Sequence, residues 1–166
     1  MVAAKDWFRE HFTMVLPENQ DLDTILTKLK SVILRQGARG VVIDPWSEIE
    51  AFPPPGVSSG DHINQCLSKM RAFARRHKVH LWLVAHPTKI YPDKRADAEP
   101  VPTLYDISGS AHFRNKADYG VVVYRDLLDT AKPVQVHIKK VRFDETGDLG
   151  TVEFWYDPPT RRYREA

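Results

Sequence analysis

The 166-residue chain is poor in cysteine, in long apolar runs and in excess charge of either sign, and each shortage excludes something. Cys66 is the sole cysteine, which rules out an internal disulfide framework and any cysteine-based zinc site and suits a reducing compartment. No apolar run approaches the roughly 18 residues that a membrane-spanning helix needs, and the polar start Lys5-Asp6 is unlike a secretory leader. These features predict a soluble protein of a cytoplasm or an organelle matrix, not a secreted one. Lys and Arg number 24 against 22 Asp and Glu, a formal charge of +2. That is too little to indicate a nucleic-acid partner, so such a partner must be argued from local clusters. What the chain does have is an apolar fraction of 42%, enough for the core of one globular domain of ordinary size.

The organising stretch is Val41-Val42-Ile43-Asp44-Pro45. Consecutive β-branched residues without polar alternation predict a strand buried on both faces, as parallel strands are. Asp44 then falls at the carboxyl edge, where open α/β folds bind ligands and where a carboxylate can serve a nucleotide's magnesium ion, directly or through water. The plainer reading is a buried strand ending in an Asp-Pro turn.

Upstream, Trp7, Phe8 and Phe12 fall on one face of a short helix over 3–12, and Met14 to Leu16 predicts a short strand stopped by Pro17. Leu22, Ile25, Leu26, Leu29, Val32 and Ile33 have helical spacing, with Asp21 or Asp23 as the cap and Gly37 as the left-handed stop. Downstream, the three prolines at 53–55 force a surface loop. Ile63, Leu67, Met70, Phe73 and Ala74 mark a helix over about 61–77, whose basic end (Arg71, Arg75, Arg76, Lys78) favours the helix dipole. Val79 to Ala85 predicts a second interior strand, stopped at His86-Pro87.

Two buried strands joined by a helix form a right-handed crossover. This brings Asp44 and His86 to one edge, where an imidazole can donate to a phosphate oxygen; a lone histidine is more often just a satisfied polar group. The proline-rich segment 88–104 is a long loop whose Lys89, Lys94 and Arg95 could grip a nucleic-acid strand or merely solvate it. A small, polar helix opening after Gly109 leads to a strand over 119–124. Strands over 134–138 and 151–156, separated by the glycine-containing turn 144–150, pair as a closing hairpin.

Taken in order, Val-Val-Ile-Asp-Pro at 41–45, Val-Ala-His-Pro-Thr-Lys at 84–89, Ile-Ser-Gly-Ser-Ala at 107–111 with Arg-Asn-Lys-Ala-Asp at 114–118, and Lys-Val-Arg-Phe-Asp-Glu-Thr-Gly-Asp-Leu-Gly at 140–150 resemble the ring-shaped replicative helicases of the Twinkle and phage primase-helicase type. The resemblance implies an α/β, RecA-like P-loop NTPase core: a mostly parallel sheet, helices on both faces and a C-terminal antiparallel hairpin. It makes 1–166 a single partial helicase domain, from the Walker B element to the arginine finger. It implies that Asp44 is the Walker B carboxylate acting on Mg2+ and that His86 senses the terminal phosphate of ATP. Asn115 stands where relatives often carry a glutamine linking nucleotide state to DNA. Lys140 and Arg142 match the basic pair that reaches a neighbouring subunit's nucleotide, with Arg142 as the finger. The resemblance also implies that Lys89, Lys94, Arg95 and Arg114 bind single-stranded DNA, that the oligomer is a ring, a hexamer, and that a primase domain lies upstream.

The departure from that family is the phosphate-binding loop. None of the eight glycines is followed by lysine, so G-x-x-x-x-G-K-[ST] is absent, and the loop's strand and the water-activating glutamate are expected upstream of this sequence. The chain is expected to be inactive by itself, whether Met1 is a native start or an added one. Two other functions remain open here: a non-catalytic module that binds single-stranded DNA or caps a partner ring, and a RecA-like ATPase of recombination or signalling. Arg142 also has a plainer reading, as a surface arginine near Asp144 and Glu145.

Overall fold

The computed structural model describes residues 2–49, 53–88, 100–107, 111–126, 129 and 131–166. The chain divides into two compact units, residues 1–85 and 86–166.

In the first unit, α1 (Val2–His11) and α2 (Leu22–Gln36) precede β1 (Gly40–Ile43), and α3 (Ser59–His77) leads to β2 (His80–Leu83). Local chemistry sets the helix ends. Asp21, of the two expected caps, accepts a 2.9 Å hydrogen bond from the Thr24 amide. Gly37 (φ 69°) closes α2 with its N–H on the Ile33 carbonyl, a left-handed stop that glycine adopts without strain. Ser58 caps α3 by accepting from the Asp61 amide. The two strands are parallel, with Gly40 opposite His80 and Ile43 opposite Leu83. Leu29 and Ile33 of α2, Val41 and Ile43 of β1, and Cys66 and Met70 of α3 form one core, against which Leu81 and Leu83 pack.

Two expectations for this unit are corrected. Neither strand is buried on both faces. Val42 is 63% exposed and Trp82 50%, because α2 and α3 share the core with the other face, that of Val41, Ile43, Leu81 and Leu83. Apolar composition cannot distinguish a strand with two covered faces from one with a single covered face. Met14 to Leu16 is not a strand either: no ladder forms there, and Val15 reaches the core only as a partly buried side chain.

The second unit is an antiparallel meander with a short helix. The helix α4 (His112–Lys116) precedes β3 (Tyr119–Tyr124), β4 (Val134–Val141), β5 (Gly150–Asp157) and β6 (Arg162–Glu165), which pair in chain order. The expected β4–β5 hairpin is present, with Val134 opposite Phe154, and it is extended on both sides. β3 joins β4 with a bulge between Gly120 and Val121. β6 carries no apolar alternation that would announce a strand, and its Arg162, Arg164 and Glu165 suit an exposed edge, where charge discourages further pairing. A 3-10 turn at Asp144–Thr146 begins the β4–β5 connection.

Candidate nucleotide and interface site

Asp44 follows Ile43 directly and is exposed. Beyond Ile43 the chain turns across the end of β2: the Val84 amide donates to the Ile43 carbonyl (2.9 Å) and the Trp46 amide to the Val84 carbonyl (2.7 Å). The Asp44-Pro45 peptide is cis. In-register parallel pairing sets the carboxyl ends of β1 and β2 side by side, as the crossover argument requires. Among the described residues no cluster of three or more His, Cys, Asp or Glu side chains could hold a metal. A single exposed carboxylate is a poor resident site for zinc or calcium. It suits magnesium, which commonly takes one or two protein carboxylates and fills its remaining positions with water and phosphate oxygens.

His86 opens the second unit and is exposed. The residues after it are clipped in place: Pro87 bridges Ile107, and the Thr88 amide and hydroxyl both donate to the Asp106 carbonyl, at 2.6 and 3.0 Å. The Asp106 carboxylate accepts from the hydroxyl and amide of Thr103, and these bonds hold its pKa below the usual carboxylate value. The segment carrying His86 is therefore fixed by its own loop rather than by the sheet ladder. Lys89, Lys94 and Arg95 lie outside the described residues.

The remaining four site residues meet at the carboxyl end of α4. Lys140 Nζ donates to the Arg114 carbonyl. Arg142 Nη2 donates to the carbonyls of Asn115 (2.6 Å) and Ala117 (3.2 Å), and its buried Nε lies 2.7 Å from Asp118 Oδ1 as an ion pair without hydrogen-bond alignment. The last carbonyls of a helix lack intrahelical donors and carry partial negative charge, so two cations from β4 and its continuation are favoured there. The guanidinium of Arg114 sits 5.0 Å from the centre of the Tyr105 ring. Arg114, Lys139 and Lys140 line an open groove together with Asp144 and Asp148, so the basic patch is partly balanced. The ion partner of Arg142 is thus Asp118 and not the neighbouring Asp144 or Glu145.

Asp118 is the residue that sequence reasoning passed over, although it lies inside a quoted motif. The signal was the register. Tyr119 pairs with Val141 in antiparallel fashion, which places Asp118 opposite Arg142, and the Arg142 amide donates to the Asp118 carbonyl at 2.9 Å. Opposite charges at such a cross-strand position attract. Cys66, by contrast, offers no thiol chemistry: it is buried in the first core, and burial pushes its pKa up.

The chain is 37% identical over 169 residues to the Twinkle homolog protein, chloroplastic/mitochondrial, of Arabidopsis thaliana, an alignment that takes in 98% of this chain and 23% of that protein. A solved structure of the ATPase domain of G40P superposes with a TM-score of 0.69 at 23% identity, covering 87% of this chain and 51% of the other. The structure of a DnaB-like replicative helicase, described with its interactions with primase, gives 0.66 at 24% identity, covering 84% and 34%. No protein-family model matches. The chain spans about a quarter of its curated relative, and about half and a third of these two structures.

Proposed function

We propose that this chain, similar in sequence to a Twinkle homolog and in fold to RecA-like helicase ATPase domains, is part of the motor of an ATP-dependent replicative DNA helicase, the portion from the Walker B element to the arginine finger. The observation that carries the reading is the 37% identity sustained over 98% of the chain. In this proposal the domain works in a ring, a hexamer, that moves along single-stranded DNA, with a primase domain as a further partner and an organelle matrix or a cytoplasm as its compartment.

Each residue has a role that its chemistry can perform. Asp44 holds the magnesium ion that accompanies ATP, and His86 donates to the terminal phosphate. Phosphoryl transfer spreads negative charge over the equatorial oxygens, and a planar guanidinium supplied by the neighbouring subunit neutralises it. Arg142 is that guanidinium, with Lys140 beside it. Asn115, whose carbonyl bonds Arg142, links the nucleotide site to the DNA-binding side, where Lys89, Lys94, Arg95 and Arg114 contact phosphates of the strand. A head-to-tail ring repeats this junction at every interface.

The test uses the full-length parent protein. Arg142→Ala should leave nucleotide binding intact and lower DNA-stimulated turnover by ~10³-fold or more. Mixing it with an Asp44→Ala protein should restore part of the hydrolysis, because some junctions then pair an intact Asp44 with an intact Arg142. Normal turnover by Arg142→Ala alone removes the assignment.

A further inference from the structure

Arg142 is not a loose surface side chain. Its Nε is paired with Asp118 Oδ1 at 2.7 Å, its Nη2 reaches two carbonyls at the end of α4, and its own amide is bonded to the Asp118 carbonyl. Both charged groups are only partly exposed, 30% for Arg142 and 34% for Asp118. A pair this close to solvent adds little to stability. What it does set is direction: Nη2 is hydrogen-bonded within the chain, buried Nε faces Asp118 as an ion pair without hydrogen-bond alignment, and Nη1 takes no part in these contacts.

We propose that Asp118 is the positioning residue for Arg142, fixing the guanidinium so that its Nη1 end is presented to the phosphate of the neighbouring subunit. The inference rests on the reading of Arg142 as the trans-acting finger. A long flexible side chain that has to find its geometry anew at each turnover loses rotamer freedom when it does so, whereas one already held by the Nη2 hydrogen bonds and by the charge of Asp118 beside Nε has lost it on folding. The carbonyls of Asn115 and Ala117 make α4 the other jaw of the clamp. A shift of α4 therefore moves Arg142, and the Asn115 position is coupled to the finger through a backbone contact that no side-chain substitution at 115 removes.

Two measurements test this. In the 166-residue chain, nitrogen-15 NMR of arginine guanidinium groups should show the Arg142 signal displaced from the bulk arginines by the adjacent Asp118 charge. Asp118→Asn should return it to the bulk position, and Asp118→Glu should keep it displaced. In the full-length parent, Asp118→Asn should lower kcat by about tenfold or more while nucleotide KM and the thermal midpoint stay near wild type, with most of kcat recovered in Asp118→Glu. If Arg142→Ala abolishes turnover and Asp118→Asn keeps the wild-type kcat, the positioning role fails while the finger stands; if Arg142→Ala is itself normal, the finger fails first. Loss of kcat in step with loss of folding in both Asp118 variants, or an Arg142 signal unmoved by Asp118→Asn, also overturns the proposal.

Discussion

At the scale of single residues, Gly120 shows how much one missing atom decides. It is buried in β3, and a Cβ built there would lie 2.2 Å from Leu104 Cδ1 and 3.1 Å from Leu104 Cγ. Leu104 is itself only 8% exposed, so it cannot swing into solvent without surrendering its own burial. Gly120→Ala is therefore expected to destabilise the fold by about 1–3 kcal/mol, the usual cost of overpacking. Leu104→Ala alone should cost about 2–5 kcal/mol through the cavity it leaves. The double variant should be less destabilised than the sum, since each change relieves the other. Urea unfolding of the three variants measures this, and a Gly120→Ala chain as stable as wild type would mean that Leu104 has another place to go. Nothing in the sequence marks Gly120 for this part, because its partner comes from a loop that sequence periodicity does not place.

Elements were legible wherever a local rule sufficed. The spacing of Leu22, Leu29 and Ile33 with the Asp21 cap and Gly37 stop locates α2, and the apolar runs locate β1 and β2. What local rules do not contain is the identity of a strand's neighbours, and here the face of β1 and β2 that carries Val42 and Trp82 is exposed. β6 went unseen for the same reason: its place is set by pairing with β5, Tyr156 opposite Tyr163, and not by its own composition. Of the site, Asp44, His86, Lys140 and Arg142 stood out as residues, but their contacts depended on register, which is how Asp118 was passed over. Among the described residues β2 pairs with β1 alone and β3 with β4 alone. An unpaired strand edge beside an exposed apolar face recruits other chains. The isolated chain is expected to self-associate, and Val42→Asp with Trp82→Glu should shift it toward monomer without loss of helical signal. A wild-type chain that sediments as a monomer at every accessible concentration would show that this face is inert.

At the scale of the whole molecule, the proposed chemistry is divided between what these 166 residues hold and what they lack. They hold an exposed carboxylate at the end of β1, an imidazole on a clipped loop and a clamped guanidinium at the end of α4. They contain no glycine followed by lysine, and hence no loop of stacked backbone donors with a lysine to cradle the phosphates of ATP. A magnesium contact from Asp44 cannot replace that cradle, because a nucleotide's phosphates need several donors aimed at them at once. The purified chain is therefore expected to bind ATP weakly and to show no sustained hydrolysis. Supplying the parent protein's segment with the phosphate-binding loop, fused in its natural order, should raise affinity and bring turnover that Asp44→Ala abolishes. Isothermal titration and phosphate release measure the two halves of this expectation separately. Sustained magnesium-dependent hydrolysis by the 166 residues alone, lost in Asp44→Ala, would mean that the phosphates are held by groups other than the loop the family uses, and that the division of labour drawn here is wrong.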